Sequence, residues 1–146
     1  MNLTVVTTIA APPADVWQVI EPIERHVDWM TDAESITFTS AARRGVGTRF
    51  DCLTKVGPFR TTDRMRVTEW VPGEVMGIEH AGVVTGTGQF TLVAREPRRT
   101  LFIWSEELTF PWWMGGAAGA FAAAPILRAV WNRNLRNLKR LVEHPV

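Results

Sequence analysis

The sequence contains no tyrosine and a single cysteine, Cys52, although it carries seven tryptophans. The missing tyrosine removes the phenol hydroxyl from the candidate catalytic acids. The lone cysteine excludes an internal disulfide and fits a reducing compartment. An excess of either charge is lacking too. Lys and Arg number 16 against 15 Asp and Glu, and the net charge of +1 supplies no global pull toward nucleic acid or acidic substrates. The opening MNLTVVTTIAAPP has neither the basic region nor the longer apolar stretch of a signal peptide, so a cytoplasmic location is expected. No linker or repeat divides the chain, and residues 1–146 are expected to form one domain with a real hydrophobic core.

Charge is also absent locally. Between Glu107 and Arg128 lie twenty uncharged residues, LTFPWWMGGAAGAFAAAPIL, long enough to raise the question of a membrane span. Composition answers it. Nine of the twenty are Gly or Ala, and Pro111 and Pro125 interrupt the run. Insertion is driven by Leu, Ile, Phe and Val, each contributing only about −0.3 to −0.6 kcal/mol at a helix centre, and too few occur here. A surface of small residues instead lets a sheet, another subunit or a ligand approach closely. The stretch from Gly115 to Ala124 is expected to form the N-terminal half of the last helix, Pro125 either kinking that helix or marking its regular start.

What is present is mostly strand signal. Leu3, Val5 and Ile9 alternate with polar residues as in a first strand. In APPADVWQVI, Pro13 fits the first position of a helix, Asp15 its first turn, and Val16, Trp17 and Ile20 form an apolar patch. A second short helix is expected from Ile23 to Val27. From Glu34 to Thr109, six strands follow one another through short turns such as Arg43-Arg44-Gly45 and Pro72-Gly73, so the sheet should be antiparallel. One alternating set is apolar: Phe50 with Cys52, Met65 with Val67, Met76 with Ile78, Phe90 with Leu92, and Phe102 with Trp104. The other set carries Arg49, Asp51, Arg64 and Arg66, which gives one wet face and one inward face. From about Ala124 to Val142 the period becomes helical, with Leu127, Val130, Trp131, Leu135 and Leu138 on one side and Arg128 to Arg140 on the other. A sheet that must cover one long helix makes an α+β domain.

The stretches TTIAAPPADVWQVI, HVDWM, GVGTRF, RMRVTEWVPGEVMGIEH, TLFIWSEELTFP and RAVWNRNLRNLKRLVE together resemble the SRPBCC superfamily, the START-like or helix-grip proteins. Within it the likeness is to bacterial members of the polyketide cyclase/dehydrase type, and it covers nearly the whole chain. The resemblance implies a seven-stranded antiparallel sheet gripping a long C-terminal helix, with one or two short helices after the first strand. It also implies a deep cavity that takes a lipid, polyketide or related hydrophobic molecule. None of the matched stretches is a catalytic motif, and the fold alone does not settle the function.

The inward register singles out three polar residues. His80 follows Met76 and Ile78, Glu106 follows Phe102 and Trp104, and Asn134 falls within the apolar arc of the last helix. A buried polar group without a partner costs about 1–3 kcal/mol, so each needs a reason. His80 and Glu106 are candidates to orient a ligand or to act as an acid/base pair. The bland alternative is a register slip that exposes one of them, or a pair that satisfies only itself. Asn134 either reaches the cavity or holds a backbone group. The candidate ligand contacts are Trp29, Phe50, Cys52, Met65, Val67, Met76, Ile78, Phe90 and Trp104, with His80 and Glu106. Trp131 and Asn134 join them from the helix, and Trp112, Trp113, Met114 and Phe121 at its approach, where bulky side chains can gate a mouth, make a homodimer contact or pack in the core.

Other chemistry is set aside. Cys52 has no nucleophile motif around it and reads as a small core residue. His26 and Asp28 are two residues where a structural zinc needs about four ligands, and they are expected at the surface, so no metal or other cofactor is expected. GVVTGTGQF leads into a strand, whereas phosphate loops need a helix N-terminus. The basic face of the last helix lacks interleaved aromatics and is expected to be solvated, peripheral contact with a membrane being its other reading. Three functions follow in order: a carrier or binder of a hydrophobic small molecule, a metal-free cyclase/aromatase on a polyketide-like substrate, and a lipid or quinone chaperone at a membrane surface. Monomer and homodimer stay equally open.

Overall fold

The computed structural model describes residues 1–145. Strand β1 (Asn2–Ile9) leads to helix α1 (Pro13–Ile20) and a 3-10 turn (Ile23–Asp28). Six strands follow: β2 (Ala33–Phe38), β3 (Arg49–Val56), β4 (Phe59–Val71), β5 (Val75–Ala81), β6 (Thr85–Arg95) and β7 (Arg99–Thr109). A second 3-10 turn (Trp112–Met114) enters the long helix α2 (Gly116–Glu143). The sheet is antiparallel throughout, in the order β1-β7-β6-β5-β4-β3-β2, so the first strand closes against the last. This is the helix-grip architecture.

The alternation read from the sequence is what drives the packing. Phe50, Cys52, Val67, Met76, Phe90, Leu92, Phe102 and Trp104 are all buried on the concave face, while Arg49, Arg64 and Arg66 are exposed. One chain of aromatic contacts ties sheet to helix. Phe102 meets Phe90 at 5.2 Å, Phe90 meets Trp104 edge-on at 5.3 Å, and Trp104 stacks on Trp131 of α2 at 5.0 Å. Such pairs add about 0.5–1.5 kcal/mol each beyond the burial of their area. Leu135 and Leu138 bury the next turns of the helix completely.

Helix α2 is longer than its amphipathic period indicates. It starts at Gly116, and Pro125 lies inside it, more than two turns from its beginning. Pro125 has no N–H to offer the carbonyl of Phe121, but Phe121 is largely exposed, so water can satisfy that oxygen. The entry is a tight corner. Gly115 adopts a φ of 91°, and a side chain on Gly119 would place its Cβ 1.9 Å from the Met114 carbonyl oxygen. The small residues thus serve a close approach of the chain to itself.

The basic side of α2 is not simply solvated. Arg128 Nη1 donates to the Thr4 carbonyl at 3.1 Å and Lys139 Nζ to the Thr8 carbonyl at 2.6 Å. Glu143 accepts from the Ala10 N–H at 2.7 Å. These bonds fasten the helix along the outer edge of β1. Among the described residues no helix is long and apolar enough to cross a membrane.

Candidate functional site

Between the concave face and α2 lies a cavity of about 510 Å³. Its walls are mostly apolar: Phe50, Met65, Met76, Ile78, Phe90 and Trp104 from the sheet, and Ala123, Leu127 and Trp131 from α2. Phe59 and Ile126 line it and are also exposed, so the opening lies between the β3–β4 turn and the first half of α2. Met114 lines the cavity from the corner before α2.

One wall is polar, and its geometry depends on a missing side chain. Glu106 on β7 pairs across the sheet with Gly88 on β6, and Gly86 of the same strand pairs with His80 on β5. A Cβ on Gly88 would lie 2.3 Å from Glu106 Oε2 and 2.6 Å from its Cδ. The carboxyl therefore lies directly over β6, in the space that a side chain would fill. From there Oε2 meets His80 Nε2 at 3.0 Å, and Oε1 accepts the indole N–H of Trp104 at 3.0 Å. The side chains of His80 and Glu106 are 10% and 5% exposed. Both turn inward, with no slip of register on β5 or β7. Burial alone pulls the His80 pKa down, but the bond to Glu106 and the charges of Glu106 and Asp63 outweigh it, leaving it above the ordinary value.

Two further carboxyls line the cavity, and the sequence pattern singles out neither. Asp63 on β4 receives a hydrogen bond from Thr54 Oγ1 at 3.0 Å. Asp32, just before β2, accepts from Asn134 Nδ2 at 2.7 Å. Burial raises the pKa of each and the charge of Glu106 adds to it, opposed at Asp63 by the charge of His80 and the Thr54 bond and at Asp32 by the Asn134 bond. Asp63 was open to detection, because residues 63, 65 and 67 share one face of β4, but its charged neighbours Arg64 and Arg66 mask the pattern. Asp32 sits in a turn, where no periodicity marks direction.

Other candidates lie elsewhere. Asn134 is fully buried, and its Oδ1 accepts from both the backbone N–H and the hydroxyl of Thr31, at 2.8 and 2.9 Å. It does not line the cavity; it clamps the Thr31–Asp32 turn to α2 and so holds Asp32 in place. Trp29 and Val67 are core residues away from the cavity, Trp29 being packed between His26, Phe90 and Trp104. Trp112, Trp113 and Phe121 are exposed at 86%, 62% and 83%, and none of them lines the cavity.

Expected at the surface, His26 is instead buried and contributes to the cavity wall, while Asp28 is exposed and paired with Arg25 at 2.9 Å. The ring bonds the Ile20 carbonyl at 2.7 Å, and burial drives its pKa down to about 4. Nε2 therefore carries the proton, and the imidazole is neutral. Cys52 lines the cavity with its thiol pushed up to about 11 by burial, so it is no nucleophile at neutral pH. Among the described residues, no group of three or more His, Cys, Asp or Glu is arranged to hold a metal ion.

Comparison with known proteins agrees with this architecture. Residues 1–143 match the family model described as polyketide cyclase / dehydrase and lipid transport. No curated protein matches the sequence. Among solved structures, TTHA0849 from Thermus thermophilus superposes with a TM-score of 0.79 at 18% identity, covering 97% of each chain. The Zhui aromatase/cyclase from Streptomyces sp. R1128 has a TM-score of 0.76 at 18% identity, over 98% of this chain and 93% of its own. DynU16, a protein in the dynemicin biosynthetic locus, has a TM-score of 0.71 at 14% identity, over 98% of this chain and 47% of its own. At these identities the likeness is one of fold. Family model, sheet order and gripped helix agree, and the chain belongs to the polyketide cyclase / dehydrase and lipid transport family.

Proposed function

We propose that the protein binds one hydrophobic small molecule, of lipid or polyketide type, between the sheet and α2. The observation that carries this reading is the cavity itself: about 510 Å³, mostly apolar, with a few polar groups gathered on one wall. Ligand sites for small molecules typically span about 300–1,000 Å³ with that division of labour. Native mass spectrometry of protein purified from its own host, followed by extraction, tests it. One bound apolar molecule per chain is expected. An Ala123→Trp variant, which puts an indole into the cavity, should lose that molecule and remain folded. A wild type that carries nothing and binds no apolar probe counts against the reading.

A second reading, a cyclase or aromatase acting on a polyketide-like substrate, draws on the His80–Glu106 pair. An imidazolium held by Glu106 can protonate a ligand carbonyl oxygen as charge develops there, and the walls can hold a long chain bent near its reacting geometry. Glu106→Gln should then lower turnover far more than affinity. Equal turnover and affinity in that variant would remove the catalytic reading and leave the binding one intact.

A further inference from the structure

The charged groups facing the cavity are all on the sheet side, and their signs are unequal. Asp32 comes from the turn before β2, Asp63 from β4, His80 from β5 and Glu106 from β7. His26 and Cys52 also face it, both neutral near pH 7. From α2 and the corner before it come only Met114, Gly119, Ala122, Ala123, Ile126, Leu127 and Trp131, with no charge. Among the described residues no Lys or Arg lines the cavity.

Three carboxyls thus face one imidazole that can carry charge, His80, since His26 stays neutral. Glu106 uses His80 and the Trp104 indole, which engage both of its oxygens. The side chains that donate to Asp32 and Asp63 are neutral, Asn134 and Thr54. The wall therefore holds more carboxyls than cationic groups, and burial, which holds Asp32 and Asp63 above the ordinary carboxylate value, leaves both in want of a cation in an apolar enclosure where charges are weakly screened. A ligand that brings a positive group completes the set; one that brings a carboxylate or phosphate adds a further like charge. We propose that the cavity selects apolar molecules carrying a protonated amine, seated against Asp32 and Asp63, and disfavours the matching carboxylic acids. This rests on the cavity being a ligand site.

A matched series on one skeleton tests it: decylamine, decanol and decanoate, titrated by calorimetry at pH 7. Decylamine should bind at least about 10-fold more tightly than decanoate, with decanol between them. Asp32→Asn and Asp63→Asn should each reduce the advantage of the amine over the alcohol, while unchanged decanol affinity shows that the cavity of each variant is intact. Decanoate binding as tightly as decylamine would overturn the inference and leave the binding function standing. So would an undiminished preference for the amine in the double variant. If none of the three probes binds the wild type, both readings fall.

Discussion

Substituting Gly88 with Ala places a methyl group where the Glu106 carboxyl lies. The new Cβ would stand 2.3 Å from Oε2 and 2.6 Å from both Cδ and Oε1, so the carboxyl must move by about 1 Å or more to restore ordinary contact. The carboxyl ends a flexible side chain but is held at both oxygens, so moving it aside lengthens or breaks its bonds to His80 and to Trp104. Hydrogen bonds to a charged group contribute about 1.5–3 kcal/mol each, and breaking one side of a buried pair costs about 3–5 kcal/mol in other proteins. Ala is better than Gly within a strand by about 0.5–1 kcal/mol, which offsets part of this. A net loss of up to about 3 kcal/mol is expected, or up to roughly 10 °C in Tm for a chain of this size. The pH dependence gives the sharper readout. In the wild type the folded-state pKa of His80 lies above its unfolded value, so the pair's stabilisation is fully present below about pH 6.5 and is lost as pH rises through the folded pKa. With the bond to Glu106 weakened, burial weighs more and the His80 midpoint should move down from its wild-type position. Thermal denaturation as a function of pH and an NMR titration of the His80 ring measure the two effects. A variant that kept the wild-type His80 midpoint and Tm would refute the account of Gly88.

Three more expectations follow from burial and pairing. His26 titrates at about 4 when folded against about 6.5 unfolded, so folding binds fewer protons and stability should fall by about 3 kcal/mol as pH drops from 6.5 to 4; His26→Gln should flatten that limb of the denaturation profile, and an NMR midpoint near 6.5 would contradict the burial argument. Asn134→Leu strands the Thr31 N–H, the Thr31 hydroxyl and an Asp32 oxygen, and urea denaturation should show a loss of about 2–3 kcal/mol despite the similar volume. Trp131→Ala should cost about 3–5 kcal/mol by calorimetry, whereas Trp112→Ala and Trp113→Ala should each change stability by about 0.5 kcal/mol or less; equal effects would mean that the exposed pair is packed.

Strands and their inward faces were legible because a two-residue period converts residue order directly into direction. That is why His80 and Glu106 could be placed together from residues 26 positions apart. What joins them, the vacancy at Gly88, was not legible, since a glycine in a strand announces a gap without saying what enters it. The amphipathic period of the long helix was legible only from Ala124 onward, although the small residues from Gly115 to Ala124 already read as its N-terminal half. Its earlier turns consist of small residues with no amphipathic contrast, so Pro125 read equally as a kink or as the regular start of the helix, and the helix in fact runs through it. His26 and Trp29 lie in and just after a short 3-10 turn, whose few residues cannot show which side is buried. The exposed Trp112, Trp113 and Phe121 follow from the same difficulty: bulk near a suspected mouth does not determine which way a side chain turns.

The fastening of α2 along β1 has a consequence for the behaviour of the protein in a crowded solution. An open sheet of this order ends in two strands, β1 and β2, each with a row of backbone groups that another chain can pair with. Along β1, the carbonyls of Thr4 and Thr8 are already taken by Arg128 and Lys139, whose long charged side chains also repel an incoming strand that carries positive charge. At β2 the register shifts between Ala33 and Ser35, an irregularity that spoils the template for regular addition. Replacing Arg128 and Lys139 by short neutral residues would free the carbonyls of Thr4 and Thr8 for intermolecular sheet growth, and should show first as aggregation on storage, before any loss of fold.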